Sequence, residues 1–190
     1  MNEVMLDLET LGIKHNAVIV SIGACRFSEQ GVYDPFFALV NPASCERVGM
    51  TMDASTVMWW MQQSDEARAQ FSSSSTPPVS ILDALGMFTD WLNERGSVTG
   101  IWGNGSDFDN VILGNAYKAY DAKLPWSYSK NRCFRTLKSL VTRERQDELW
   151  DRYSAGLTHH NALDDAKRQA MMARSILMED LKIWGGAATQ

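Results

Sequence analysis

Polar and apolar positions alternate from the start of the chain. Val4, Leu6 and Leu8 face one way and Met5, Asp7 and Glu9 the other, the period of a β-strand. After Gly12 and Asn16, which suit a turn, residues 18–27 begin almost without a polar break, as a strand buried on both faces does. Phe36-Phe37-Ala38-Leu39-Val40 ends at Asn41-Pro42 and predicts a third strand. Short connections among the three imply an antiparallel meander. The period then lengthens. Ser55 reads as the N-cap of a helix over Thr56 to Met61. Residues 72–78 form a serine- and proline-rich loop too short to separate domains. Ile81, Leu82, Leu85, Phe88, Trp91 and Leu92 recur at helical spacing as far as Gly96. A short strand over Val98 to Trp102 precedes a helix starting near Asp107. Cys133-Phe134 predicts a brief strand before a helix through Leu137, Leu140 and Val141, and a final helix runs from about Asn161 to Leu181. Three strands followed by alternating helices and strands predict an α/β fold, a mixed sheet flanked by helices.

Length and composition narrow this picture. A chain of 190 residues suits one domain, 1–190, with a sizeable core. No apolar run reaches the roughly 18 residues of a membrane span, and Met1-Asn2-Glu3-Val4 does not open like a signal peptide. The expected location is cytoplasmic, away from membranes. Cys25, Cys45 and Cys133 are odd in number and far apart, so neither a disulfide framework nor a Cys-x-x-Cys zinc site is indicated. Net charge is −5, which argues against nonspecific coating of duplex DNA. The balance is uneven, however. Lys118, Lys123, Lys130, Arg132, Arg135, Lys138, Arg143 and Arg145 are opposed between 118 and 145 only by Asp121 and Glu144, so that segment is +6 and the remainder −11. It reads either as a solvated face or as a track for a phosphate backbone or acidic partner.

Three constellations carry candidate chemistry. Asp7 and Glu9, two apart on a strand, project from one face into one small volume. Held that close, they call for a cation, and oxygen ligands select a hard ion such as Mg²⁺ or Mn²⁺. An edge strand with a solvated acidic face fits the same pattern. Trp102-Gly103-Asn104-Gly105-Ser106-Asp107-Phe108-Asp109 ends a strand in a glycine-rich turn and places an acid in the next helix's first turn, where the helix dipole alone also favours it. His159-His160-Asn161-Ala162-Leu163-Asp164-Asp165 sets histidines before a helix with acids in its first turns, which suits a general base or plain capping. Ala162, Ala166, Ala170 and Ala173 form a stripe that lets this helix approach the sheet closely.

In this order and spacing, Asp7-x-Glu9, Phe108-Asp109 and His160-x-Ala162-x-x-Asp165 resemble the three motifs of the DEDDh 3′→5′ exonucleases, a group that includes ribonuclease T, oligoribonuclease and polymerase proofreading subunits. The double-tryptophan segment from Ser55 to Trp60, followed by Gln63 to Arg68, is similar to that of phage and prophage exonucleases such as phage exonuclease A and their bacterial 3′→5′ exoribonuclease relatives. The resemblance implies a ribonuclease H-like sheet, an antiparallel meander then parallel strands, and a phage or prophage origin. It selects Asp109 over Asp107, and His160 with Asp165 over His159 with Asp164.

The same resemblance implies release of nucleoside 5′-monophosphates from single-stranded DNA or RNA 3′ ends with two divalent cations, Mg²⁺ or Mn²⁺. Asp7, Glu9, Asp109 and Asp165 would hold the ions and His160 would serve as general base. Thr10, Leu11, Gly12, Trp59, Trp60, Asn104 and Phe108 would contact substrate. Adjacent helical residues point about 100° apart, so one tryptophan packs inside and the other is free to stack on a base. Several relatives are homodimers in which a basic surface serves the partner's site, a role open to residues 118–145. The competing expectations are a catalytically silent nucleic-acid-binding module and a small-nucleotide phosphodiesterase.

Overall fold

A computed structural model describes residues 2–71, 77–105 and 107–184. Most of the predicted loop at 72–78 lies outside them. Five strands, β1 (Glu3–Thr10), β2 (Ile19–Ser28), β3 (Gly31–Leu39), β4 (Gly100–Gly103) and β5 (Asn131–Cys133), form one sheet in the order β3-β2-β1-β4-β5. The first three pair antiparallel, and β4 and β5 add parallel strands on the other side of β1. The strand bearing Asp7 and Glu9 is therefore central, and every one of its residues is buried. A solvated edge strand is excluded. β3 begins five residues earlier than its apolar run, because Gly31 to Pro35 pair on the outer edge with half-exposed side chains. Pro35 is tolerated there since an edge strand need not donate on its outer side.

The helices divide between the two sheet faces. One face packs Val4, Leu6 and Ile22 against α4 (Ile81–Asn93) and α5 (Asp109–Ala119) through Leu85, Phe88, Ile112 and Leu113. The other packs Met5, Cys25 and Phe27 under α6 (Phe134–Lys138), α7 (Arg143–Ser154) and α8 (Ala162–Ser175). By strand alternation Asp7 and Glu9 share the Met5 face, beneath α8. Short helices α1 (Pro42–Glu46), α2 (Ala54–Trp60) and α3 (Asp65–Arg68) follow β3. No helix among the described residues is long and apolar enough to cross a membrane.

Several boundaries differ from expectation for identifiable reasons. α2 starts one residue before Ser55, with Asp53 at the N-cap position. The Asp53 carboxylate does not cap it, because it accepts from the Ile13 amide (3.1 Å) and pairs with Lys14. The helix expected through Leu137, Leu140 and Val141 stops at Lys138, and α7 starts after Thr142, whose hydroxyl accepts from the Arg145 amide. α7 was missed because its only buried residue is Leu149; Arg145 instead ties it to Glu179 and Asp180. The last helix is α-helical to Ser175 and finishes in a π-helical turn, Ile176–Asp180.

α8 reaches the sheet through Gly23, which pairs with Asp7 across the β1–β2 ladder. A Cβ built on Gly23 would lie 2.1 Å from the Ala162 carbonyl carbon and 2.2 Å from the Leu163 amide nitrogen. Backbone meets backbone there, so no side chain can swing away. Gly23→Ala should therefore lower stability by about 1–3 kcal/mol, the usual cost of overpacking a filled site. Gly86→Ala provides the contrast. Gly86 is exposed on α4 with nothing within 4 Å of its would-be Cβ, so alanine should stabilise by about 0.5–1 kcal/mol. Thermal or urea unfolding of the two variants checks both signs; an unaffected Gly23→Ala would mean that α8 does not depend on this contact.

Candidate active site

Four carboxylates converge where the carboxyl end of β1 meets two helix starts. Asp7 and Glu9 come from β1 and are 9% and 7% exposed. Asp109 is the first residue of α5 and is 2% exposed. It accepts from the Leu8 amide (3.1 Å) and the Asn104 amide (2.8 Å), which fixes it between β1 and the turn after β4. A Cβ on Gly103 would fall 2.9 Å from an Asp109 carboxylate oxygen, so the glycine leaves room for that acid. Asp165 sits in the first turn of α8 and accepts from the His160 amide (3.2 Å) and the Arg168 guanidinium. Gln169 Nε2 donates to Asp7 Oδ1 at 2.7 Å. One oxygen from each of Asp7, Glu9 and Asp165 lies within 4.8 Å of the other two.

This crowding controls protonation. Burial, then the charges of Asp109, Glu9 and Asp165, hold the Asp7 carboxyl well above the usual range, against a lowering pull from Gln169. Burial, then Asp165 and Asp109, raises Glu9 to about 8. Asp109 is raised by burial only to about 6, because the Asn104 and Leu8 amides stabilise its anion. His160 is shifted the other way, below its ordinary value, first by burial and then by His159.

His160 holds a left-handed backbone conformation, φ 61°, uncommon for a residue with a side chain. That turn lets its amide reach Asp165 while its ring packs edge-on against Trp59, centroids 4.8 Å apart. His159 is more exposed, and its ring lies 3.8 Å from that of His160. Both histidines come within reach of Asp165. Asp107 is exposed and lines neither hollow of the site; Asp164 instead accepts from the Thr158 amide and pairs with Lys167.

The acids and His160 line a cleft of about 320 Å³ together with Asn104, Phe108, Arg135, Lys138, Trp150, Arg168 and Gln169. A second hollow of about 390 Å³ shares Leu8, Glu9 and Phe108 with it and is completed by Thr10, Gly12, Trp59 and Trp60, among others. Of the anticipated substrate contacts, Asn104 and Phe108 line the first, and Thr10, Gly12, Trp59, Trp60 and Phe108 the second. Leu11 does not: it packs in the core and faces a separate apolar depression with Val57, Trp60 and Phe71. The tryptophans divide as helical geometry requires. Trp60 is 4% exposed and donates to the Thr10 carbonyl (2.9 Å), whereas Trp59 is 41% exposed.

The basic segment is not one continuous track. Arg135 and Lys138 line the acidic cleft, but Arg145 is bound to Glu148, Glu179 and Asp180, and Arg143 pairs with Asp147. Leu8, Arg168, Gln169 and Trp150 were absent from the sequence-derived site. Arg168 and Gln169 were detectable in principle: three and four residues after Asp165, they share its side of the helix. Trp150 sits on the unanticipated α7 and had no local signal.

Comparison with known proteins agrees with this geometry. Residues 2–177 match the family model described as the 3′-5′ exoribonuclease Rv2179c-like domain. An exodeoxyribonuclease of Enterobacteria phage T4 is 27% identical over 124 residues, 60% of this chain and 54% of that protein, so the match spans about half of the relative's length. Two solved structures share the fold. Exonuclease X, in complex with 5′ overhanging duplex DNA, superposes with a TM-score of 0.58 at 17% identity, covering 92% of this chain and 90% of that one. S. pombe Pop2p, in a Mg²⁺- and Mn²⁺-bound form, gives a TM-score of 0.60 at 14% identity, covering 95% and 84%. The fold is thus that of the ribonuclease H-like exonucleases, and the chain belongs to the 3′-5′ exoribonuclease Rv2179c-like domain family.

Proposed function

We propose that the chain, acting as one domain over residues 1–190, removes nucleoside 5′-monophosphates from single-stranded nucleic-acid 3′ ends with two divalent cations, Mg²⁺ or Mn²⁺. The observation that carries this reading is the convergence of Asp7, Glu9, Asp109, Asp165 and His160 on one cleft. The donor set fits a hard cation. It is all oxygen, drawn from the central strand and two helix starts, and too crowded to be fully ionised without positive charge. Asp7, Glu9 and Asp165 would hold one ion, with Asp7 shared and Asp109 serving the second. The ions would supply Lewis acidity toward the phosphoryl oxygens and the leaving 3′ oxygen.

The chain's own groups do the rest. His160, with its lowered proton affinity, is neutral at neutral pH and takes the proton from the attacking water. Its turn and the Trp59 ring hold the imidazole beside Asp165. Thr10 and Gly12, with the exposed face of Trp59, receive the terminal nucleoside in the neighbouring hollow. Phe108, common to both hollows, separates base from phosphate. Arg135 and Lys138 attract the phosphates of the incoming strand.

The decisive experiment is a time course on 5′-labelled single-stranded DNA and RNA of one sequence with Mg²⁺, Mn²⁺ or EDTA. A metal-dependent ladder shortening from the 3′ end supports the reading, and the faster strand identifies the sugar. Binding without cleavage would indicate a silent module, and turnover only of a small chromogenic diester a small-substrate phosphodiesterase. His160→Ala should cut kcat by about 10²–10⁴-fold, the range for general-base loss, while leaving Mn²⁺ binding intact by calorimetry; near-normal turnover would remove its assigned role. Trp59→Ala should raise KM by the equivalent of about 1–3 kcal/mol of base stacking with little change in Tm. Trp60→Ala should instead cost about 3–5 kcal/mol of stability as a buried large-to-small change.

Metal and pH are linked. With folded-state values above their unfolded ones, Asp7, Glu9 and Asp109 keep protons that the unfolded chain has released. The folded state therefore binds more protons, and stability falls as pH rises from about 4, the ordinary carboxylate range, to about 8, where Glu9 ionises. The exposed acids with lowered values, such as Glu148, act oppositely at the acid end of that window, and His160, also lowered, opposes the decline near its ordinary range, but one imidazole is outweighed by three raised carboxyls. In EDTA, Tm should therefore decline between pH 5 and pH 8, and Mn²⁺ should restore more of it at pH 8 than at pH 5. A metal effect independent of pH would show that the ion does not occupy this cluster.

A further inference from the structure

Arg168 is 2% exposed, inside the cleft, one helical turn after Asp165. Its guanidinium donates to Asp165 and lies over Trp150 with its central carbon 4.0 Å from the ring centroid. Among the described residues its Nε has no hydrogen-bond partner. A buried cation is costly unless its charge and donors are matched, and here one carboxylate does most of the matching. That carboxylate also belongs to the oxygen cluster with Asp7 and Glu9. Asp165 thus faces two claimants, the guanidinium and any ion bound by the cluster.

Resting on the hydrolase reading above, we propose that Arg168 is a resident counter-cation which a divalent ion must displace from Asp165, and which then binds the phosphate of the strand being cut. Charge supports the exchange. With every carboxylate ionised the four acids and Arg168 carry −3, so two divalent ions would overcompensate them, and Arg135 and Lys138 on the same wall add to the positive charge that a phosphate would meet. Geometry supports it too. Trp150 gives the planar cation a face to rest on after Asp165 is lost, and Nε is a donor in want of an acceptor. Arg135 and Lys138 on the same wall give the strand's phosphates a reason to arrive there. Arg168 is in this sense a positioning residue: it holds Asp165 until metal arrives and then helps seat the substrate.

A purely structural Arg168, needed only to orient Asp165, makes the opposite prediction for metal binding, so calorimetric titration of MnCl₂ into the full chain without nucleic acid discriminates. Arg168→Met should bind Mn²⁺ roughly tenfold or more tightly, because a competing charge-assisted contact is gone, and should raise KM for a single-stranded oligonucleotide more than it lowers kcat. Arg168→Lys keeps the charge but not the flat, stacked fork; it should bind Mn²⁺ a few-fold more tightly and recover part of the KM. Mn²⁺ affinity equal to or weaker than wild type in Arg168→Met overturns the proposal. Should that variant fail to fold, the same comparison on Arg168→Lys decides it in the same direction. Wild-type protein that neither binds Mn²⁺ nor cuts the oligonucleotide overturns the hydrolase reading as well, whereas normal wild-type binding and turnover confine any failure to Arg168.

Discussion

Four carboxylates confined to one water-poor volume are the constraint around which the rest of this molecule is arranged. Oxygens of Asp7, Glu9 and Asp165 lie within 4.8 Å of one another, and at an effective dielectric near 20 each ionised pair among them repels by roughly 3–4 kcal/mol. Several such pairs would consume a stability that is typically about 5–15 kcal/mol in total. The protein alone meets this cost in three ways: by retaining protons on Asp7 and Glu9, by donating from Gln169 and the backbone, and by inserting Arg168. In the proposed reading, a divalent cation would take over all three tasks.

Bringing the acids together demands unusual proximity of elements. β1 has to be central so that its acidic face is covered, and α8 has to touch the sheet backbone-to-backbone, which Gly23 and the alanines at 162, 166, 170 and 173 permit. The second and third motifs both enter from helix N-termini, where unpaired amides favour an anion. The effect is visible in the contrast between Asp109 and Glu9. Both are buried, but Asp109 has two backbone donors and stays near 6 while Glu9 rises to about 8. Neighbouring acids in one cleft therefore differ in proton affinity by their backbone donors and adjacent charges rather than by depth.

Strand-rich and motif-bearing parts of the chain were legible because burial on one face imposes a period that amino-acid type reveals. Residues 4–9 and 18–27 could be read directly, and the order of the three acidic motifs gave the superfamily. α7 could not be read. Beyond the single buried Leu149, its attachment rests on ion pairs, Tyr153 and Trp150, and charged residues on a helix look the same whether they bind a neighbouring element or water. Arg168 was hidden for a related reason: an arginine after an acid on a helix surface is commonplace, and only the cover provided by α7 makes it a buried cation. Ser55 misled because its neighbour Asp53 holds the cap position without capping, being drawn to the loop at Ile13 and Lys14.

The tryptophan pair shows how far local geometry carries. Helical rotation alone required that Trp59 and Trp60 meet different surroundings, but not which would be buried. Tertiary contact decides it: the Thr10 carbonyl, at the end of the acidic strand, offers the acceptor that Trp60 Nε1 takes. That bond ties α2 to β1 and leaves Trp59 beside His160. One buried hydrogen bond therefore sets both a wall of the second hollow and the surroundings of the imidazole. In the proposed reaction, binding of the terminal base and placement of the base catalyst would share a single anchor, so strain at Thr10 would be felt in both.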